Sequence, residues 1–404
     1  MSLPATRPAD TYSPLYFLAS LGAGGLTVTF FMYLLFWVPH PGQPVPVFED
    51  IMAAFSTGGP AMRVAIVVAM IGIAAMAFLN VKSLLWNVAA LRRFARTPQY
   101  ATLRRSNAET TLLAAPLATA MTVNVLFILG MVFVPGLWGI VEYLFPAALV
   151  AFLAIGAWAL RLIGDFLGRV LAGGGEFDMT AHNSFAQLLP AFAISMVAVG
   201  LAAPSAMSTA TVTVGASLVL STFFGVAAIL YTVVAAITGF NSMLHYGTAK
   251  EAGPTLMVVV PIMTVLGIMF MRQSHGMHVE FGTEGSPGEM LVFLARLLAV
   301  EILFLLLGWA VLRRQGYFKD FVTGPKTSPG SYALICPGVA FAVMTHFFVN
   351  KGLVAAGVID KFGTAYWALT AVALAAQILM IWLMLRLNRQ HFRPREATGM
   401  VPAE

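Results

Sequence analysis

The stretch GPTLMVVVPIMTVLGIMFMR, residues 253–272, decides how this chain is read. It is an apolar run long enough to cross a bilayer as one helix, which takes about 20 residues. Its interior carries Pro261, which removes a backbone hydrogen bond and crowds the carbonyl of Met257, four residues back. In hydrocarbon that loss has to be made good by protein or by a wet cavity. Three more runs share the feature: Pro116 in TLLAAPLATAMTVN, Pro190 in FAQLLPAFAISM and Pro337 in YALICPGVAFAV. The four prolines lie 74, 71 and 76 residues apart, which predicts a repeated pair of helices whose first member is broken by proline.

Working outward, ten stretches reach spanning length: 15–37, 64–91, 111–134, 137–163, 184–203, 211–240, 254–271, 289–312, 331–349 and 365–385. No long polar region separates them. The expectation is an all-α polytopic membrane protein, a single domain of ten transmembrane helices over 15–385 arranged as five hairpins. A short cytoplasmic segment, 1–14, precedes it and a cytoplasmic tail, 386–404, follows. The odd spans are rich in Gly, Pro and small residues, and the even spans are longer and continuously apolar. Span 1 has no interior proline, but Gly22 to Gly25 (GAGG) occupies a similar place. Repeats of this kind place a pathway at their interface. Between spans 1 and 2, FEDIMAAF (48–55) reads as a segment along the surface.

Composition agrees. The 404 residues are 59% hydrophobic and 10% charged, where soluble domains average about 25% charged. The formal charge of +6 reflects basic loops demanded by topology, and no interleaved basic and aromatic patch points to nucleic acid. The polar first dozen residues predict a retained first span and no signal peptide. One cysteine excludes an intrachain disulfide and a cysteine metal site. Of the 23 Lys and Arg, 16 fall at the N-terminus and after even spans, and four after odd spans: Arg63, Arg272, Lys351 and Lys361. The positive-inside rule then puts both termini in the cytoplasm.

No Lys, Arg, Asp or Glu falls inside an odd span. The intramembrane charges are Lys82, Glu142, Arg161, Asp165, Arg296 and Glu301, all on even spans. Arg161 and Asp165, four apart, share a helix face and can pair; Arg296 and Glu301 can pair less directly. Such groups are functional candidates, yet Lys82, Arg161 and Asp165 lie near the cytoplasmic ends, where snorkelling is the plainer reading. A pathway between odd spans is therefore expected to be nearly uncharged, furnished with Thr119, Thr122, Asn124, Ser195, Thr264 and Thr345. Proton pumps carry carboxylates or histidines along their path, and cation channels carry acidic rings. What remains is a route for weakly hydrated solutes, with an anion favoured at helix ends.

The five-hairpin layout, LGAGGL (21–26) in span 1 and PTLMVVVP (254–261) in span 7 resemble the tellurite-resistance/dicarboxylate transporter family. Its members include fungal malate and sulfite transporters and the plant guard-cell slow anion channel. The resemblance implies five odd helices ringing a central pore, an outer layer of even helices, and an anion channel or transporter assembled as a homotrimer. For a bacterial chain it implies the inner membrane. It also implies a gate, since the family carries a Phe-Pro pair in span 9 whose ring plugs the pore. Here the matching position is Cys336, before Pro337. Either Phe341, four residues beyond Pro337, takes over, or the pore is leakier or passes another solute, or Cys336 is a packing thiol. The pore-lining and gate candidates are thus Cys336, Phe341, Pro116, Pro190, Pro261, Pro337, Gly22, Gly25, Thr122 and Thr264.

No cofactor is expected. His275 and His278, in HGMH, fall in a glycine-rich stretch that reads as an irregular outer loop, a poor metal site. His346 lies in the outer part of span 9, whereas His182 and His245 lie on the cytoplasmic side, so paired haem ligation fails on depth. The Gly173–Gly175 run reads as a hinge. No phosphate-loop, nucleophile-elbow or zinc-protease motif is present, so no enzyme activity is expected. Two other functions stay open: a non-transporting membrane subunit of a redox complex, and proton-coupled transport through Glu301, Asp165 or His346. The expected partners are a small anionic solute and the lipid bilayer, with no nucleic acid.

Overall fold

The computed structural model describes residues 11–173 and 184–392 and is all-helical over them. His182, most of the Gly173–Gly175 hinge and the outer parts of both termini lie outside the described residues. Ten helices are long and apolar enough to cross a membrane. Their α-helical parts are α1 (Phe17–Trp37), α2 (Pro60–Phe94), α3 (Ala114–Phe133), α4 (Val141–Ala172), α5 (Leu189–Leu201), α6 (Thr211–Tyr246), α7 (Val259–Phe281), α8 (Pro287–Arg314), α9 (Ile335–Phe347) and α10 (Thr364–Phe392).

Burial sorts them into two layers. The most apolar windows of the odd spans are 67–89% buried, and those of the even spans 17–39% buried. In a chain this apolar, the exposed side chains of α2, α4, α6, α8 and α10 are those left for lipid, including Phe78, Val150, Val219, Leu303 and Ile378. The odd helices contact one another in a closed cycle, α1 with α3, α3 with α5, α5 with α7, α7 with α9 and α9 with α1. Each also packs against the even helix that follows it. Close approach between the layers is cut into the sequence by glycine. A Cβ at Gly72 of α2 would strike Phe30 of α1, one at Gly200 of α5 would strike Phe152 of α4, and one at Gly338 of α9 would strike Met380 of α10.

The prolines act differently from the expectation of breaks inside α-helices. Each odd helix is entered through a tighter 3-10 turn: Pro14–Tyr16, Asn107–Leu113, Phe185–Leu188, Lys250–Met257 and Pro329–Leu334. Pro116, Pro190, Pro261 and Pro337 then fall in the first turn of the α-helical part. Each of these helices continues from its 3-10 turn, so the proline, which has no N–H, falls where bonding passes from three residues back to four. The four prolines mark the junction where one helix type becomes another. Pro146, inside α4, sits deeper in its helix than any of them. Gly22 and Gly25 lie beyond the junction of α1 and serve packing: their Cβ positions would meet Ile335 and Val339 of α9 at 2.9 and 2.7 Å.

Three further expectations change. The HGMH stretch is helical, because α7 runs on to Phe281 and ends at Gly282 with a left-handed φ of 67°. Gly276 does not break it; a Cβ there would collide with the Ser205 carbonyl, so the glycine lets α7 press against the short helix Ala203–Met207. Asp165 pairs with Arg104 at 3.1 Å, and Arg161 makes no ion pair among the described residues. Arg104 and Arg169 both also reach the buried Glu109, at 2.9 and 3.0 Å. Glu301 pairs with Thr264 rather than Arg296. The 48–55 segment is a helix, Phe48–Thr57, with Ile51 buried, and α10 continues helical to Phe392.

Candidate functional site

The cycle of odd helices encloses a cavity of about 820 Å³. Its depth can be read from the register of the lining residues. At one end lie the early residues of the odd helices: Leu21 and Gly22, Met121, Phe192, Pro261 and Cys336. Behind them the 3-10 turns close the structure with side chains that do not reach the cavity, among them Tyr16, Leu188, Leu256 and Tyr332, each at most 2% exposed. This end is the floor. Two buried tyrosines there are held from behind, Tyr16 by His391 at 3.0 Å and Tyr332 by Asn388 at 2.8 Å. The other end is a mouth reaching exposed residues, including His275, His278, Glu284, Glu289 and Lys351.

The candidates divide. Cys336, Pro261, Gly22, Gly25 and Thr264 line the cavity. Pro116, Pro190 and Pro337 are buried behind it, as is Thr122. Phe341 is not among the lining residues: α9 shows the cavity Cys336, Val339, Ala340, Val343 and Phe347, and position 341 is turned away by about 100° from 340. The bulkiest side chain at the floor is Phe192 on α5, at the level where Cys336 presents only a thiol.

The hydroxyls expected to serve a solute are mostly committed to their own helices. Thr119, Thr122 and Thr345 donate to the carbonyls of Ala115, Ala118 and Phe341, four residues back, at 2.7–2.9 Å, and Ser195 donates to Phe192 three back. Asn124 lines the cavity and donates to Ala120 at 3.1 Å. Thr264 has two acceptors in reach, the Val260 carbonyl at 3.2 Å and Glu301 Oε1 at 2.6 Å.

The wall is not uncharged. Arg272 lines it from α7, and its only hydrogen bond among the described residues runs from Nη1 to the Val199 carbonyl at 2.7 Å, near the end of α5. No carboxylate pairs with it among the described residues. Glu289, the nearest acid in sequence on α8, is occupied in capping its own helix, accepting from the Ser286 N–H at 3.0 Å. A guanidinium offers five N–H donors and needs more than one neutral acceptor, so the site has donor capacity to spare. The sequence did contain a signal. Pro261, Thr264, Val265, Ile268, Arg272 and His275 follow helical spacing along one face, and that face lines the cavity. Ending the span at residue 271 concealed it. His275 and His278 lie on the same helix and both reach the mouth, though no cluster of three metal-ligating residues forms among the described residues. His346 is buried between the rings of Tyr33 and Phe36, away from the lining.

Neither a scan against protein-family models nor a search of characterised proteins finds a match to the chain.

Proposed function

We propose that this multi-pass membrane protein carries small anions, as a channel or a transporter, through the cavity at the centre of its odd helices. The observation that carries the reading is Arg272, a cation in an apolar cavity with one carbonyl for company. Arg272 is half-buried at the wall and leaves donor N–H groups unused, and a solute anion supplies the missing partner through charge-assisted hydrogen bonds. The resemblance to the tellurite-resistance/dicarboxylate transporter family supports the same class, with chloride, nitrate, sulfite and dicarboxylates as candidate solutes. On that reading the protein is a trimer of the bacterial inner membrane with one pore in each subunit. The positive-inside asymmetry turns the mouth to the periplasm and the floor to the cytoplasm. Permeation then requires the floor around Phe192 and Cys336 to open.

The test is flux into liposomes holding the purified protein under a clamped membrane potential, with chloride, nitrate, sulfite and malate compared and a potassium control. The expected result is anion flux that Arg272→Gln lowers about tenfold, the equivalent of about 1.4 kcal/mol of lost anion stabilisation. Equal passage of potassium, or an unchanged rate in Arg272→Gln, defeats the reading.

A further inference from the structure

Glu301, on α8, is completely buried. It stands behind the cavity wall and meets it through one contact, Oε1 to the Thr264 hydroxyl of α7 at 2.6 Å. Its second oxygen, Oε2, is buried with no partner. Thr264 itself lines the cavity, and its oxygen also lies 3.2 Å from the Val260 carbonyl.

Counting protons distinguishes two arrangements. A threonine hydroxyl has one proton and can accept through its lone pairs. If Glu301 is ionised, Thr264 gives its proton to Oε1, the Val260 contact goes unmade, and a full charge sits in an apolar wall with Oε2 bare. If Glu301 carries a proton, it donates to Thr264 Oγ1, Thr264 donates to Val260, and both short contacts are satisfied with no net charge. Neighbours offer no alternative counterion. The titratable groups on the elements packed against α8 are Arg272, His275, His278 and Glu280 on α7, Cys336 and His346 on α9, Lys250 and Glu251 in the Lys250–Met257 turn, and Lys351 beyond α9. Together with Arg296, Glu289, Arg313 and Arg314 of α8 itself, none hydrogen-bonds or ion-pairs with Glu301.

We propose that Glu301 is a proton-binding site linked to the anion cavity, so that an anion and a proton are taken up together. The linkage is electrostatic. An anion beside Thr264 is one hydroxyl away from Glu301, and it favours the protonated acid over a second negative charge. Coupling of binding is reciprocal, so protonation of Glu301 raises the affinity for the anion by the same factor. No electron is transferred: the proton comes from the solution on the side the anion enters, as hydronium or buffer acid, forms an O–H bond at Glu301, and is returned to solution when the anion leaves. The inference rests on the anion reading for its transport consequence, but the site itself can be tested without transport.

The experiment uses nitrate, which brings no proton of its own at neutral pH, with a pH-sensitive dye trapped in liposomes containing the full-length protein and the potential clamped. The expected result is proton entry with nitrate that rises toward one per anion as the pH is raised into the range where the empty cavity leaves Glu301 ionised, and close to none in Glu301→Gln. An equal ratio in the two proteins, or no proton movement with nitrate in the native one, overturns the proposal. In parallel, infrared spectra of the purified protein follow the carboxylic-acid C=O stretch. A band that Glu301→Asp shifts, and that grows when nitrate is added, supports the proton site even if Glu301→Gln fails to assemble. A native protein whose band is absent, or indifferent to nitrate, overturns it. Failure of every anion to cross sinks the permeation reading instead, and the infrared arm then decides on Glu301 alone.

Discussion

The two ends of the odd helices solve opposite problems with similar apolar sequence. At the floor, the chain tightens into 3-10 turns, buries Tyr16 and Tyr332 against α10, and presents only two polar side chains to the cavity, the Cys336 thiol and the Thr264 hydroxyl. At the mouth, α7 runs on past its apolar stretch and carries Arg272, His275 and His278 into the lining. One end is shut by packing, and the other is held open with charge. If anions pass through the cavity as proposed, they meet the charge at the mouth first and the main resistance at the floor.

Reversing the charge at the mouth should produce the largest effect. Cys336 is the only cysteine, so a charged thiol reagent that enters the cavity reports on one position without background. Arg272→Glu is expected to slow modification by an anionic reagent relative to a cationic one by about a hundredfold, the scale of a charge reversal at moderate effective dielectric. An unchanged ratio means that the mouth does not select by charge. At the floor, Phe192→Ala is expected to raise basal anion flux about tenfold, or about 1.4 kcal/mol off the barrier. Phe341→Ala, made off the lining, is expected to leave it alone, and the reverse outcome would restore Phe341 as the gate.

Glycine substitutions compare the two ends by stability. Gly276→Ala drives a methyl into the backbone carbonyl of Ser205, which cannot swing away, and is expected to cost about 1–3 kcal/mol, read as a lowered thermal midpoint in detergent. Gly22→Ala meets the Cγ2 methyl of Ile335 at 2.9 Å and its Cβ at 3.2 Å, side-chain atoms rather than a backbone carbonyl, and is expected to cost less. Equal losses would show that α9 is as rigid as backbone at the floor. The smallest effect belongs to the turn that follows α8. Lys326 and Lys250 hold the Asp320 carboxyl below its ordinary value, by hydrogen bonds at 2.9 and 3.0 Å. A carboxyl lowered in the folded state contributes above its unfolded value and loses that contribution as the pH falls through the folded one. Protection of the Phe318–Thr323 amides, measured against their intrinsic exchange rates, should therefore fall only below the usual carboxylate range, and Asp320→Asn should remove that loss.

Much of the architecture was legible because hydrocarbon leaves few choices. An apolar run of spanning length has to be a helix, and ten of them account for every span found. The proline spacing correctly drew attention to the odd helices, but a proline reads the same in sequence at a kink and at a junction between helix types. Only the backbone partners of residues such as Val258, whose N–H bonds three back to Thr255, tell them apart. The site was half legible. Gly22, Gly25, Pro261, Thr264 and Cys336 could be picked from the odd spans, whereas Phe341 could not be told from Ala340 without knowing which way α9 is turned. Arg272 was lost to a boundary drawn at the first charge, although the helix carries that charge onward into the wall.

The glycine contacts between layers have a mechanical consequence. Phe30 seated on Gly72, Phe152 on Gly200 and Met380 on Gly338 act as pegs in sockets, so α1, α5 and α9 cannot slide or roll without taking α2, α4 and α10 along. These three inner helices are thus each keyed to a lipid-facing neighbour, and tilting one of them alone is the stiff direction. The soft direction is the side chains at the floor, where Phe192, Met121 and Leu21 face empty volume rather than a socket. If the floor opens as the proposed function requires, rotation of these few side chains is the motion the packing opposes least.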